Sequence, residues 1–146
     1  MLKSATIHIM NEIITVETNI NAPIDKIWQY WNEPEHITKW CFASDDWHAP
    51  SATNDLTVGG KLNTRMESKD GAHGFDFEAT YTEIIPFEKI QYEMSDGRKV
   101  EVVFKKEDMG YRIIETFDAE NENPIEVQRD GWQAILNNFK RYVETN

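Results

Sequence analysis

The four histidines and the single cysteine are the side chains best suited to metal or nucleophile chemistry, and their spacing predicts neither. His8, His36, His48 and His73 are scattered, and no two stand at the i, i+4 spacing that puts two ligands on one helix face. Cys41 is alone, so neither an intrachain disulfide nor a cysteine cage for a metal is available. We expect no metal site and no cofactor.

Two local arrangements suggest weaker candidate sites. In "DDWH", Asp46 and His48 would share one face of a strand, but a zinc site would need a third ligand from elsewhere. Cys41 with His36 or His48 suggests a nucleophile and its base, yet no third, orienting group is indicated. A cysteine flanked by two aromatic residues is more typical of a packed apolar patch. Neither arrangement predicts catalysis.

Two carboxylates occupy unusual positions. Glu83 and Glu115 fall on strand faces whose other members are apolar, namely Tyr81 and Ile85 around the first and Ile113 and Phe117 around the second. A carboxylate turned inward is costly unless it is paired, and such positions are often functional. The alternative is that both lie at strand ends open to water. Arg98 follows a turn in "SDGRKV", where a solvated charge is the simpler interpretation.

The elements that would position these groups begin with a strand and two short helices. Residues 11–20, "NEIITVETNI", alternate between apolar and polar side chains, which predicts a strand with one buried face. Pro23 suits the first turn of a helix, and apolar residues then recur at helical spacing in "IDKIWQYW". Pro34 permits a second short helix, "PEHITKW".

Alternating segments and a long helix follow. Runs beginning near residues 61, 75, 88, 98 and 111 predict antiparallel strands separated by turns such as Asp96–Gly97. In the last strand the inward face is ambiguous. Asn123 can cap a helix of about twenty residues, and Pro124 suits its first position. Trp132, Leu136 and Phe139 lie on its apolar stripe. An antiparallel sheet with one apolar face must be covered, and this helix is the available cover.

Composition excludes several classes of function. The chain of 146 residues has 26 acidic and 15 basic residues, a formal charge of −11, which opposes binding to nucleic acid or to anionic membranes. No segment approaches the ~20 apolar residues that span a bilayer, and the N-terminus lacks the apolar run of a secretory signal. We expect no nucleic-acid partner, no membrane span and a cytoplasmic location. We also expect a single domain over residues 11–146, preceded by an extension over residues 1–10.

The order of these segments resembles the START-like superfamily with its helix-grip fold. More narrowly, it resembles the family named for the activator of Hsp90 ATPase homologue 1. The segments that carry this resemblance are "INAPIDKIWQYWNEPEHITKW", "GGKL", "FEATYTEIIPFEKIQYEM", "DGRKVEVVF" and "GWQAILNNF". The resemblance implies an α+β fold in which a curved antiparallel sheet wraps around a long C-terminal helix, with two short helices after strand 1. It also implies a cavity between sheet and helix that binds lipids, hormones or aromatic compounds.

From this resemblance we expect a non-enzymatic, lipid-binding type of protein whose partner is a small hydrophobic or aromatic molecule. A co-chaperone-like module with a chaperone partner and a role in the stress response ranks second, because one domain leaves no room for the activator's separate chaperone-binding domain. A polyketide cyclase-like enzyme ranks third, because no catalytic constellation stands out. The expected cavity residues are Trp31, Trp40, Phe42, Trp47, Met66, Phe75, Phe77, Tyr81, Tyr92, Val102, Phe104, Val127, Gly131, Ala134 and Ile135.

Gly131 is a specific feature of the predicted terminal helix. A glycine in a helix interior costs about 1 kcal/mol relative to alanine. Gly131 shares one flank of the helix with Val127 and Ala134, at i−4 and i+3. Small side chains there would either leave open volume beneath the helix or admit a closely packed strand. We expect open volume, so that a leucine at this position keeps stability and blocks the ligand.

Overall fold

The computed structural model describes residues 12–146, so the predicted boundary between an extension and the domain lies outside the described residues. The first elements are strand β1 (Ile13–Ile20) and two short helices, α1 (Ile24–Asn32) and α2 (Pro34–Trp40). Six more strands and the long helix come next: β2 (Trp47–Asn54), β3 (Lys61–Ser68), β4 (Gly74–Ile85), β5 (Lys89–Met94), β6 (Lys99–Glu107), β7 (Gly110–Asp118) and α3 (Ile125–Thr145).

The seven strands form one curled antiparallel sheet with the order β1-β7-β6-β5-β4-β3-β2. Strands β2 to β7 follow one another as a meander, and β1 joins it by pairing with β7. In this register Val16 of β1 and Val102 of β6 both lie opposite Glu115 of β7. The pairing settles the ambiguous face of β7: Ile113, Glu115 and Phe117 point inward. The predicted helix-grip architecture is confirmed.

Helix α3 lies on the concave face of the sheet and packs most closely against β1 and the two short helices. Leu136, Phe139 and Val143 on its apolar stripe are fully buried, which is the burial that holds the helix to the sheet. The main core therefore lies toward the C-terminal half of α3. The N-terminal half of α3 stands over strands β3 to β5, where space remains.

Three local details differ from the sequence-based expectations. Strand β2 was not predicted, because Pro50 and a register shift between His48 and Ser51 break its alternation; an edge strand tolerates both features. Helix α3 begins after Pro124, and no side chain caps it, so the proposed Asn123 cap is wrong. No helix within residues 12–146 is long and apolar enough to cross a membrane.

Candidate functional site

A cavity of about 520 Å³ lies between the inner face of the sheet, helix α3 and the end of helix α2. Its volume falls in the range typical of small-molecule sites, about 300–1,000 Å³. The sheet contributes Leu62, Thr64, Met66, Phe75, Phe77, Tyr81, Tyr92, Met94 and Glu115. The helices and loops contribute Trp31, Ile37, Trp40, Cys41, Ala43, Arg98, Glu120, Asn123, Val127, Gln128, Gly131, Trp132, Ile135 and Leu136.

The structure brings ten of the fifteen predicted cavity residues together in this lining. They come from α1, α2, three strands and α3, and are Trp31, Trp40, Met66, Phe75, Phe77, Tyr81, Tyr92, Val127, Gly131 and Ile135. The other five lie outside the lining: Phe42, Trp47, Val102, Phe104 and Ala134. A role for any of the fifteen in binding a ligand stays a prediction.

Two of the five residues outside the lining contact other aromatic side chains. Phe104 points toward the first helix, where its ring lies 5.2 Å from the ring of Trp28 and 5.9 Å from that of Trp31. Trp47, on edge strand β2, contacts Phe75 at a ring separation of 6.0 Å. Alternation along a strand shows which face a residue occupies, but it does not show how far along that face the cavity extends.

Two tryptophans form both core and cavity wall. The ring centres of Trp31 and Trp40 are 5.0 Å apart, and each meets Phe139 of α3 edge-on at 4.9 and 4.7 Å. The indole N–H of Trp40 donates to the carbonyl of Tyr30 at 2.9 Å, so the ring is held by packing and by a hydrogen bond. This end of the cavity is consequently a rigid aromatic surface.

The opposite wall is formed by α3 and is open where the helix begins. A Cβ built on Gly131 would have no heavy atom within 4 Å beyond its own stretch of helix, so open volume lies beneath this position. Val127, one turn earlier, is 56% exposed, and Phe75 across from it on β4 is 48% exposed. Two apolar side chains that line the cavity and also reach solvent mark its mouth.

Glu115 is the only acidic side chain of the sheet in this lining, among the residues that the structure describes. It is 6% exposed, and its strand neighbours Ile113 and Phe117 and its cross-strand neighbours Val16 and Val102 are all apolar. Burial raises the pKa of this carboxyl to about 8, and no hydrogen bond from residues 12–146 opposes that shift. At neutral pH the side chain is therefore mainly a neutral carboxylic acid facing the cavity.

Other acidic groups around Glu115 are kept neutral as well. Burial raises the pKa of the Cys41 thiol to about 12, and a charge on Glu115 would raise it further. Burial also raises the pKa of Tyr92, with contributions from Glu115, Tyr81 and Cys41. Burial raises the pKa of Tyr81 too, and its hydroxyl donates to the side-chain oxygen of Asn54 at 2.7 Å. The deep part of the cavity thus offers neutral O–H and S–H groups on an apolar background.

Arg98, Glu120 and Asn123 of the lining lie in loops, and Gln128 lies in the first turn of α3. Arg98 donates through Nε to the Asp96 carboxylate at 2.8 Å and is 19% exposed. Gln128 uses its amide to hold the loop before α3, donating to the carbonyls of Glu120 and Asn123 at 3.2 and 2.7 Å. Arg98 and Gln128 are thus engaged in hydrogen bonds with the loops around the cavity, whereas Glu115 has no such partner among the described residues.

The remaining sequence candidates do not join this cavity. Glu83 lies on the outer surface and forms an ion pair with Lys89 at 3.0 Å, because a bulge after Tyr81 turns it away from the inward face. The side chains of Glu33, Glu35 and His36 have potential ligand atoms within 4.8 Å of one another at the surface. His36 is already stacked on Tyr30 and hydrogen-bonded to Tyr142, and the expectation that metals are irrelevant stays a prediction.

Several lining residues were not predicted, and some carried a usable signal. Leu62 and Thr64 share the inward face of Met66, and Met94 shares that of Tyr92. The contributions of Cys41, Ala43 and the loop before α3 depend on how distant segments meet in space. No local pattern in the sequence predicts such long-range contacts.

Comparison with known proteins places this architecture in a family. The family model described as activator of Hsp90 ATPase homolog 1-like protein matches residues 21–144. None of the curated protein sequences compared with the chain matches it significantly. The chain is similar to an AHSA1-like protein from Aeromonas hydrophila, with 43% identity, a TM-score of 0.86 and coverage of 92% of this chain and 93% of that one.

Two further solved structures resemble it. A protein from Cytophaga hutchinsonii is 48% identical, with a TM-score of 0.77 and 93% of each chain covered. A protein from Chromobacterium violaceum has a TM-score of 0.82 over 92% of this chain and 99% of that one, but at 19% identity it supports the fold alone. With a family match over most of its length and relatives above 40% identity, the chain belongs to the activator of Hsp90 ATPase homolog 1-like protein family.

Proposed function

We propose that this protein binds a small, mainly apolar molecule in the cavity between its sheet and helix α3. The observation that carries the proposal is the cavity itself: about 520 Å³, walled by aromatic and aliphatic side chains, of which Val127 and Phe75 also reach solvent. A few polar groups on an apolar lining are the usual composition of a small-molecule site. The aromatic surface at Trp31 and Trp40 suits a flat or chain-like apolar body.

The size of the cavity argues against a packing defect. Residual voids in protein cores cost about 24 cal/mol per Å³, so a dry void of this volume would cost on the order of 10 kcal/mol. That figure is comparable with the whole stability of a typical domain, about 5–15 kcal/mol. The volume is therefore better understood as a site that exchanges solvent for a ligand than as imperfect packing.

The test is a binding panel on purified protein. A long-chain fatty acid, a naphthalene-based dye and a neutral polycyclic hydrocarbon are titrated while tryptophan emission and thermal unfolding are followed. We expect at least one probe to bind in the micromolar range and to change the emission, because Trp31, Trp40 and Trp132 line the cavity. At a ligand concentration about 100 times Kd, binding to the folded state alone adds about 2.7 kcal/mol, a rise in Tm of about 5–10 °C.

A cavity-filling pair of variants locates the binding. Gly131→Leu extends a side chain into the open volume and should reduce affinity at least about tenfold while the unliganded Tm holds or rises. Gly131→Ala is the matched control, because it gains the same helix propensity with one methyl group and should keep most of the affinity. The proposal is refuted if no probe in the panel binds, or if Gly131→Leu leaves the binding unchanged. The co-chaperone alternative is favoured if native mass spectrometry shows a bound chaperone in place of a small molecule.

A further inference from the structure

Glu115 and Tyr92 are two of the polar side chains inside the cavity that have no hydrogen-bond partner in the described part of the chain, and the hydroxyl of Thr64 is a third. Glu115 on β7 is 6% exposed and Tyr92 on β5 is 5% exposed, and both line the cavity. No hydrogen bond within residues 12–146 engages either group, and burial rather than hydrogen bonding dominates the ionisation of both. Neighbouring Tyr81, in contrast, is satisfied by Asn54 at 2.7 Å. The side-chain oxygens of Glu115 and Tyr92 keep access to the open space of the cavity, so a bound molecule can supply the hydrogen bonds that the described residues do not.

The surroundings of the two groups determine what they can offer a ligand. Glu115 is enclosed by apolar neighbours on its own strand and on β1 and β6, and Tyr92 is in contact with the rings of Phe77 and Tyr81 at 6.1 and 5.9 Å. A carboxylic acid held neutral in an apolar site donates a strong hydrogen bond, and so does a neutral phenol. Both groups present O–H donors at neutral pH, and neither carries a charge that would demand a counterion.

We propose that Glu115 and Tyr92 form a donor pair that recognises an oxygen acceptor, such as a ketone or ester carbonyl, on an otherwise apolar aromatic ligand. This inference rests on the proposed function, since it names the chemistry of the molecule that the cavity takes. The apolar body lies against Trp31, Trp40 and Phe77, and the oxygen is directed at the inner strands. The pair acts in recognition: the oxygen accepts hydrogen bonds and no covalent step is involved.

Two other ligand chemistries fit less well. A cationic amine would require Glu115 to ionise among apolar neighbours, against the burial that raises its pKa. An anionic group would be directed to Arg98 at the rim, where the guanidinium already bonds to Asp96. A neutral acceptor requires no change of charge in the deep site, and its desolvation is compensated by hydrogen bonds that are otherwise unmade.

Three naphthalene probes of similar size separate these possibilities. They are 2-acetylnaphthalene, which carries a carbonyl, 2-ethylnaphthalene, which replaces it by a methylene, and 2-(aminomethyl)naphthalene, which carries a cation. Each is titrated into wild type, Glu115→Met, Glu115→Gln and Tyr92→Phe at pH 6.5, where the carboxyl is protonated. The hydrocarbon reports on the cavity alone, and the ratio of ketone to hydrocarbon affinity reports on the oxygen site.

We expect Glu115→Met to lower the ratio about tenfold, the value of one hydrogen bond to a buried acceptor. Tyr92→Phe should lower it about three- to tenfold, while Glu115→Gln, whose amide still donates, should stay within about threefold of wild type. The carbonyl stretch of the bound ketone should lie at a lower wavenumber in wild type than in Glu115→Met. Glu93→Gln, on an exposed site of β5, is the matched control and should change nothing.

The outcomes distinguish this inference from the proposed function. If the hydrocarbon binds wild type and Glu115→Met leaves the ratio and the carbonyl stretch unchanged, the oxygen site is refuted and the cavity function stands. If the amine binds more tightly than the ketone and Glu115→Gln abolishes that preference, Glu115 is a counterion and the inference is again refuted. If none of the probes binds, both proposals fail.

Discussion

Replacing Glu115 by glutamine should change how the stability of the protein depends on pH. Burial raises the pKa of this carboxyl from the ordinary 4.5 to about 8 in the folded state. Between those two values the folded protein holds a proton that the unfolded chain has released. The free energy of unfolding of wild type, relative to the variant, is therefore highest below about pH 4.5. It falls as pH rises toward 8 and changes no further above that. Glutamine is neutral throughout and removes the effect.

The magnitude follows from the size of the shift. One pKa unit corresponds to 1.36 kcal/mol, so the free energy of unfolding of wild type should fall relative to Glu115→Gln by about 1.4 kcal/mol per pH unit within the window. At pH 7 the variant should be more stable by about 3 kcal/mol, and above pH 8 by about 5 kcal/mol. For a chain of this size that corresponds to a difference in Tm of about 2–4 °C per kcal/mol.

Urea unfolding followed by circular dichroism from pH 5.0 to 8.5 measures this difference directly. The other titrating groups affect both proteins alike, so subtracting the two profiles isolates Glu115. The groups that share its cavity are Cys41 after α2, Tyr81 on β4, Tyr92 on β5, Arg98 in the β5–β6 turn and Glu120 before α3. Glu93→Gln, which changes an exposed carboxylate on the outer face, is the matched control for the loss of one carboxylate. A flat profile for Glu115→Gln would show that the carboxyl is ionised and solvated, which contradicts the reasoning.

Three further outcomes are expected. Gly110 and Gly97 both have φ of 93°, but a Cβ at Gly110 would lie 2.0 Å from the carbonyl oxygen of Ile20, whereas one at Gly97 would meet nothing within 4 Å. Gly110→Ala should therefore lower the free energy of unfolding by at least ~2 kcal/mol more than Gly97→Ala, and equal losses would contradict the close approach. Burial raises the pKa of the Cys41 thiol to about 12, so iodoacetamide at pH 8 should modify it at least about 100-fold more slowly in the folded protein than in urea. Comparable rates in the two conditions would contradict that burial. Chelator treatment should leave Tm and probe binding unchanged, whereas a stoichiometric zinc or iron signal after dialysis would contradict the prediction that metals are irrelevant.

The parts of the fold that depend on local pattern were predictable. Alternation placed Ile14, Val16 and Ile20 on the buried face of β1, and helical spacing placed Leu136 and Phe139 on the buried stripe of α3. Strand β2 was missed because Pro50 interrupts it and its edge position requires little burial. Local pattern succeeds where one face is continuously buried, and it weakens at the edges of the sheet.

The orientation of the two unusual carboxylates depended on long-range pairing. Glu83 and Glu115 have similar local surroundings, yet a bulge after Tyr81 turns Glu83 outward to Lys89, while the pairing of β7 with β1 and β6 directs Glu115 into the cavity. A shift of one residue exchanges the faces of a strand. The sequence therefore identified both residues as unusual without the means to separate them.

Three destabilising features of this chain lie on the walls of one cavity. Gly131 forgoes about 1 kcal/mol of helix propensity relative to alanine, and Glu115 at pH 7 costs about 3 kcal/mol relative to a neutral isostere. Val127 exposes an apolar side chain at the same mouth. All three line one cavity, whereas the other half of α3 is closely packed on Phe139 and Val143. Natural proteins commonly depart from optimal stability where a site requires it. The coincidence of an unfilled helix position, a neutral buried acid and an open apolar mouth is therefore better explained by ligand recognition than by three independent defects in the core.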